Sequence, residues 1–320
     1  MKRFLLSSLC FLCAGCCFSP LVQQRVFLDY SVNQKNEASF SISEKSLTHL
    51  RRKGIQAILS PQPLDLKKLC PKCQLNINNP TIGVLLARSD KDAKSYAITG
   101  DYIYALIKAG ANVRFISYDN VAYQNQNLDG ILLPGGTFPS QGKWYFSYGQ
   151  KKFEKPQKRY YAYESLIKHA QKNQIPLLGI CAGMQMMSAL LSNEKIKMFD
   201  NLEEVSDLPH KKLDRYQRAH KITVQPDTTL FSILKTNSLG VNSRHRVGVA
   251  LETTNIPEVT VSALSPDGIV EAIEFSSHPT ALGVQFHPEV FANQDDPQMQ
   301  KIFDWFVGNA RIYQQQRKEK

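Results

Sequence analysis

A continuous apolar run, Thr81-Ile82-Gly83-Val84-Leu85-Leu86, opens a stretch in which short apolar segments alternate with helix-like ones as far as Leu191. Runs that are hydrophobic at every position suit strands covered on both faces, and the intervening helices supply the cover. The spacing predicts helices over 97–109, ended by Gly110, over 160–172 and over 182–191, with strands over 113–116, 128–133 and 175–180. An α/β fold with a mostly parallel central sheet and helices on both faces meets that pattern. Beyond Leu191 the segments shorten, to 221–224, 259–263, 269–275 and 281–286. Turns such as Ser265-Pro266-Asp267-Gly268 join them, and a closing helix is predicted over 298–309. With 320 residues, 42% of them hydrophobic, the chain has material for one large domain, placed at 80–310, and an appendage.

The appendage lies at the front. Met1-Lys2-Arg3 and the apolar residues 4–12 have the charged start and short apolar centre of an export signal, too short to span a bilayer as a mature helix. Residues 1–19 are therefore set aside from the fold. Leu12-Cys13-Ala14-Gly15-Cys16 is similar to a bacterial lipoprotein processing site, which implies cleavage before Cys16 and lipidation of that residue. An ordinary cut near Ser19-Pro20, or one that uses Cys17, is the alternative. Export is expected either way: at the periplasmic face of a bacterial membrane through the N-terminal lipid anchor, or else periplasmic or secreted.

Residues 20–79 read as a polar extension with one helix over 43–53 and a Pro-rich stretch, Ser60-Pro61-Gln62-Pro63. In an exported protein the Cys70-Pro71-Lys72-Cys73 pair reads as a local disulfide. No second CxxC or histidine pair stands at zinc spacing, so no metal is expected. Residues 311–320 read as a polar tail. The net charge of +11 comes from scattered Lys and Arg, without an aromatic-interleaved basic motif, so nucleic acid is not an expected partner. A basic surface of this kind suits anionic lipid or an envelope polymer instead.

Three segments carry chemistry. In Gly179-Ile180-Cys181-Ala182-Gly183-Met184-Gln185 a strand delivers a cysteine to a tight turn between small residues, and a helix follows. That is the geometry of a nucleophile elbow, and a thiol at a helix N-terminus is biased toward thiolate. The Ala182 N–H is then positioned to donate to an oxyanion. Leu132-Leu133-Pro134-Gly135-Gly136-Thr137 puts two glycines at a strand end, where open α/β sheets build their sites, and either Gly135 or Gly136 can offer a second amide. In Gly283-Val284-Gln285-Phe286-His287-Pro288-Glu289 the alternation of an extended segment points His287 and Glu289 the same way. The carboxylate can then fix the imidazole tautomer.

Glycine loop, elbow and His-Pro-Glu follow one another in the order of the class I glutamine amidotransferase-like superfamily, which the sequence resembles over 81–309. Val241-Asn242-Ser243-Arg244-His245-Arg246 and the stretch from Ala263 to Glu274 resemble its γ-glutamyl-γ-aminobutyrate hydrolase branch. The resemblance implies a flavodoxin-like glutamine amidotransferase fold, with Cys181 as nucleophile, His287 as general base and acid, and Glu289 as the orienting carboxylate. It also implies an oxyanion hole at Gly136 and Ala182, and a glutamyl group lying near Gly135, Gln185, Asn242, Ser243 and His245. The implied reaction hydrolyses a γ-glutamyl amide of a small substrate through a γ-glutamyl thioester, releasing glutamate and an amine without metal or organic cofactor. The same scaffold also admits a cysteine peptidase-like hydrolase, a non-catalytic binding protein or a secreted effector. The chain departs from the branch where Ala182 stands for an arginine after the nucleophile and where Arg246-Val247 stands for a His-Gln pair. Both departures touch the substrate rim.

Overall fold

The computed structural model describes residues 25–32, 38–42, 78–89, 92–116, 127–136, 145–146, 158–192, 195–211, 214–250 and 256–319. The chain runs through β1 (Arg25–Val32), β2 (Ala38–Ile42), β3 (Thr81–Leu85), β4 (Ala87–Ser89), β5 (Asp92–Thr99), α1 (Gly100–Lys108), β6 (Asn112–Ile116), β7 (Gly130–Leu133) and β8 (Tyr145–Phe146). There follow α2 (Lys158–Asn173), β9 (Leu177–Ile180), α3 (Ala182–Leu191), β10 (Met198–Phe199), a 3-10 turn (Leu202–Glu204), β11 (His220–Val224), α4 (Thr229–Leu234) and β12 (Ser238–Val241). The remainder is β13 (Gly248–Val249), β14 (Val259–Leu264), β15 (Val270–Phe275), β16 (Ala281–Val284), α5 (Pro288–Ala292) and α6 (Pro297–Lys318).

The main sheet has the order β12-β11-β14-β15-β16-β9-β7-β3-β6. Its half from β16 to β6 is parallel and its other half antiparallel, so the sheet is mixed with a mostly parallel centre. The apolar runs explain the centre: successive side chains of a strand point to opposite faces, and here both faces are buried. Ile82, Val84, Leu132, Leu178 and Ile180 pack with Ile103 and Leu106 of α1, Leu230 of α4, and Phe303 and Phe306 of α6. Ile131, Leu133 and Leu177 point the other way, against Tyr163, Leu166 and Ile167 of α2 and Met184 and Met187 of α3.

Three stretches differ from the sequence reading. Residues 97–99, read as the start of a helix, belong to β5, where Thr99 pairs with Arg25 and Ala97 with Phe27. Within the extension read as irregular, β1 and β2 form a hairpin that joins β5 and β4 in a separate four-stranded sheet, β2-β1-β5-β4. Pairing with a distant strand overrides local helix preference, and the Ala97-Ile98-Thr99 segment carries too weak a helix signal to resist it. At the far end the tail is helical, because α6 continues to Lys318 and sends Gln314 and Arg317 back to the buried carboxylate of Asp129. The signal segment with Cys16, the helix expected over 43–53, and Cys70 and Cys73 lie outside the described residues. Among the described residues, no helix is long and apolar enough to cross a membrane.

Candidate active site

Three adjacent parallel strands, β7, β9 and β16, end on the same edge of the sheet. Their exits carry Gly135-Gly136, Cys181 and His287 respectively. The C-terminal edge of a parallel sheet is where open α/β folds gather ligand-facing groups, and neighbouring strands bring these three segments within contact. A Cβ placed on Gly135 would stand 2.7 Å from His287 Cε1 and 3.1 Å from Cys181 Cβ. Glycine is required there by close approach.

Cys181 occupies a backbone conformation with φ 53° and ψ −109°, between β9 and α3. A non-glycine residue in that region is strained and persists only where its surroundings over-determine it. Gly183 supplies part of that constraint: a Cβ there would lie 2.0 Å from the Leu133 carbonyl oxygen, so only glycine lets α3 settle onto β7. The Cys181 N–H donates to Val284 O at 2.8 Å, which ties the elbow to β16.

Cys181 is 5% exposed. Burial pushes it up, but the His287 charge and hydrogen bond, with lesser help from His245 and the Ala182 amide, bring it below the ordinary thiol value. For His287, burial opposes the charge. The Glu289 carboxylate and Cys181 outweigh that opposition and raise the imidazole to about 10. His287 Nδ1 donates to Glu289 Oε1 at 2.7 Å, and Glu289 is fully buried. With Nδ1 committed to the carboxylate, Nε2 is the nitrogen left for the sulfur.

The other predicted residues have definite places. The Gly135 N–H donates to Tyr102 Oη at 3.0 Å, so that amide is taken. Gly136 follows at φ 142°, with the Arg159 guanidinium in the space a Cβ would need. Gln185 is buried, its Nε2 donating to Val247 O at 2.7 Å and to Gln285 Oε1 at 3.0 Å. Asn242 and Ser243 are fully buried. Asn242 spans Arg215 O, His287 O and the His287 N–H, while the Ser243 hydroxyl donates to His210 O. These three side chains brace the loop and His287 from behind. His245 Nδ1 donates to Val247 O at 3.0 Å, and Nε2 faces His210 and Glu271.

Sequence reasoning missed Tyr102, whose hydroxyl lies 3.5 Å from His287 Nδ1 while it holds Gly135. It stands on the buried face of α1, where an apolar stripe hides a functional hydroxyl. Tyr163 was missed for the same reason; its hydroxyl donates to Pro134 O at 2.6 Å and accepts from Arg159 at 2.9 Å, fixing the glycine loop from below. Also missed was a set of potential metal donors, His210, His220 and Glu271, whose ligand atoms lie within 4.8 Å of one another. They come from three separate segments, and no motif spacing announces them.

Residues 80–289 match the family described as Peptidase C26. A γ-glutamyl-γ-aminobutyrate hydrolase of Escherichia coli O157:H7 is 31% identical over an alignment of 224 residues that covers 67% of this chain and 87% of that protein. Among solved structures, the glutaminase domain of Trypanosoma brucei CTPS with bound acivicin aligns at a TM-score of 0.50 with 18% identity, over 72% of this chain and 93% of that one. A protein of Thermoplasma acidophilum described as part of a GMP synthase aligns at 0.52 with 20% identity, over 75% of this chain and 98% of that one. The two structural likenesses concern the fold.

Proposed function

The chain belongs to the Peptidase C26 family, and from that premise we propose that it hydrolyses a γ-glutamyl amide bond, with Cys181 as nucleophile. The observation that supports this reading best is the line of groups Cys181, His287 and Glu289, with its 2.7 Å imidazole–carboxylate bond and its raised imidazole. A neutral thiol is a poor nucleophile, whereas a thiolate paired with imidazolium is ready before substrate arrives.

In the proposed cycle the Cys181 thiolate adds to the γ-carbonyl carbon, and the developing oxyanion takes hydrogen bonds from the Gly136 and Ala182 amides. As the C–N bond breaks, His287 Nε2 gives its proton to the departing amine, leaving a γ-glutamyl thioester and a neutral imidazole. Water then loses a proton to His287 and adds to the thioester. Cleavage of the C–S bond releases glutamate and restores thiolate and imidazolium. Glu289 holds the ring throughout. The sum is amide plus water giving glutamate plus amine.

The Met1-Lys2-Arg3 start and the following apolar stretch support action outside the cytoplasm, with anchoring through Cys16 as the way the chain would be held at a membrane. Cell fractionation of the full chain beside Cys16→Ala tests that part.

The chemical claim is tested by intact-mass spectrometry of the full chain, exposed to an electrophilic glutamine analogue and to a panel of γ-glutamyl amides. Covalent gain by the wild type and not by Cys181→Ala, with glutamate released from a panel member, is the expected result. A folded wild type that neither labels nor releases glutamate removes the hydrolase reading. Labelling accompanied by turnover of peptides alone redirects it to peptide bonds.

A further inference from the structure

Behind the loop that carries Asn242, four side chains from four segments converge on one buried point. His210 follows the 3-10 turn, His220 opens β11, His245 lies in the 242–247 loop and Glu271 sits on β15. All four side chains are at most 3% exposed. His220 Nε2 is 3.3 Å from Glu271 Oε1, His245 Nε2 is 3.5 Å from the same oxygen, and His210 Nδ1 is 4.0 Å from it and 3.2 Å from His245 Nε2.

The outer bond of one of these rings fixes where its lone pair points. His210 Nε2 lies 2.9 Å from Asp267 Oδ2, an acceptor only, so the N–H is at Nε2 and the Nδ1 lone pair faces inward. Ser243 lies 3.3 Å from Nδ1 but gives its hydroxyl proton to His210 O. His245 Nδ1 donates to the Val247 carbonyl, and its Nε2 faces inward beside Glu271. His210 Nδ1 and His245 Nε2 lie 3.2 Å apart beside a fully buried carboxylate, an arrangement that calls for positive charge among them. The second oxygen of Glu271 meets no donor among the described residues.

We propose that His210, His220 and Glu271 form a divalent transition-metal site of the zinc class, with His245 beside it, that is separate from the cysteine centre. Tetrahedral zinc with nitrogen and oxygen ligands places donor atoms about 3.3 Å apart. Most of the observed separations fall close to that. An imidazole–imidazole–carboxylate set suits zinc by its ligand chemistry, and the ion's double charge balances Glu271 and Asp267. Asp267 behind His210 supplies the carboxylate–histidine support that metal-bound imidazoles use, itself held by the hydroxyls of Ser206 and Ser265. With its donors buried and drawn from separate segments, the site is structural. It joins the segment before β11, the 242–247 loop and β15, and so braces the loop whose Asn242 grips His287. The sequence reading, which expected no metal, had only spacing to go on.

The test uses the full chain with all seven cysteines replaced by serine, so that no thiol can bind the ion. Stripped protein is titrated with Zn2+ and Co2+ and followed by metal analysis, visible absorption and thermal melting. Expected are one Zn2+ per chain, the intense visible bands of tetrahedral Co2+, and a higher Tm with metal. His210→Asn and Glu271→Gln each weaken binding by about 100-fold or more, a loss that even outer partners of a ligand can approach. His278→Asn, a buried histidine elsewhere, leaves binding unchanged. Should Glu271→Gln fail to fold, His210→Asn decides the matter, because its ring sits on a loop. A folded cysteine-free protein that binds no stoichiometric Zn2+, or whose binding survives His210→Asn, overturns the proposal and leaves a shared proton as the positive charge. None of these readouts depends on hydrolase activity.

Discussion

Asn242 grips the backbone of His287 from both sides: the His287 N–H donates to Asn242 Oδ1 at 2.8 Å, and Asn242 Nδ2 donates to His287 O at 3.2 Å. The side chain thereby fixes the peptide from which the imidazole projects, and it also reaches Arg215 O at 2.9 Å. Asn242→Ala leaves buried backbone groups without partners, a cost of about 1–3 kcal/mol. It also frees the ring to drift, and a displacement of about 1 Å can cost on the order of 100-fold in rate. We expect kcat to fall by about 10–100-fold with KM little changed. Asn242→Asp, which keeps the acceptor for the His287 N–H and loses the donor, should fall between. Steady-state kinetics on folded protein checks both.

The coupling of Cys181 to His287 sets the pH behaviour. Because His287 is raised to about 10 and Cys181 is lowered, the pair leans toward thiolate and imidazolium. The raised imidazole contributes stability that is whole below its ordinary value of about 6.5 and is lost as pH climbs through about 10. The lowered thiol contributes stability that is whole above the ordinary thiol value and fades as pH falls through its folded one. Alkylation of Cys181 should therefore stay fast at about pH 7. In Glu289→Gln the main counter-charge is gone, so the alkylation profile should move toward an ordinary thiol and kcat/KM should drop by about 100-fold or more. An unchanged profile in that variant would mean that Glu289 does not hold the pair.

Two glycines in helices predict opposite outcomes. At Gly183 a methyl group would meet the Leu133 carbonyl oxygen at 2.0 Å, a backbone atom that cannot step aside. Gly183→Ala should destabilise the fold by about 1–3 kcal/mol or more and displace the elbow. Gly308 lies inside α6 with nothing within 4 Å of the added carbon, so Gly308→Ala should stabilise by about 0.5–1 kcal/mol. Paired thermal melts read the contrast directly.

What the sequence disclosed follows from how local each feature is. The apolar run at 81–86, the elbow around Cys181 and the His287-Pro288-Glu289 triplet are contiguous, so periodicity and turn chemistry reveal both the parallel strands and the residues that meet at their ends. Tyr102 and Tyr163 act through hydroxyls at the buried faces of α1 and α2, where composition signals only core. The histidine–glutamate cluster depends on β11, β15 and two loops arriving together, which no spacing rule can foresee. The strand at 92–99 and the hairpin at 25–42 were illegible for a similar reason: each exists because the other pairs with it.

The end of the chain offers the clearest case of a polar segment with a structural task. Asp129 is 1% exposed and receives Thr81 N–H at 2.8 Å, Gln314 Nε2 at 3.1 Å and Arg317 Nη2 at 2.8 Å. Thr81 opens β3 and Asp129 immediately precedes β7, so this carboxylate stitches two central strands to the last turns of α6. Ending the chain after Ala310 would remove two of the three donors while leaving the charge buried, and carboxylates in that position are costly unless paired. The Arg317 side chain is 36% exposed, so solvent shares its work and the ion pair alone contributes modestly. We expect the truncation to lower stability by about 1–3 kcal/mol. Asp129→Asn in the full-length chain should cost less than the truncation, because it keeps the Thr81 contact and removes the stranded charge. Urea melts of the three proteins decide the order; a truncation as stable as the full chain would return residues 311–320 to the status of a tail.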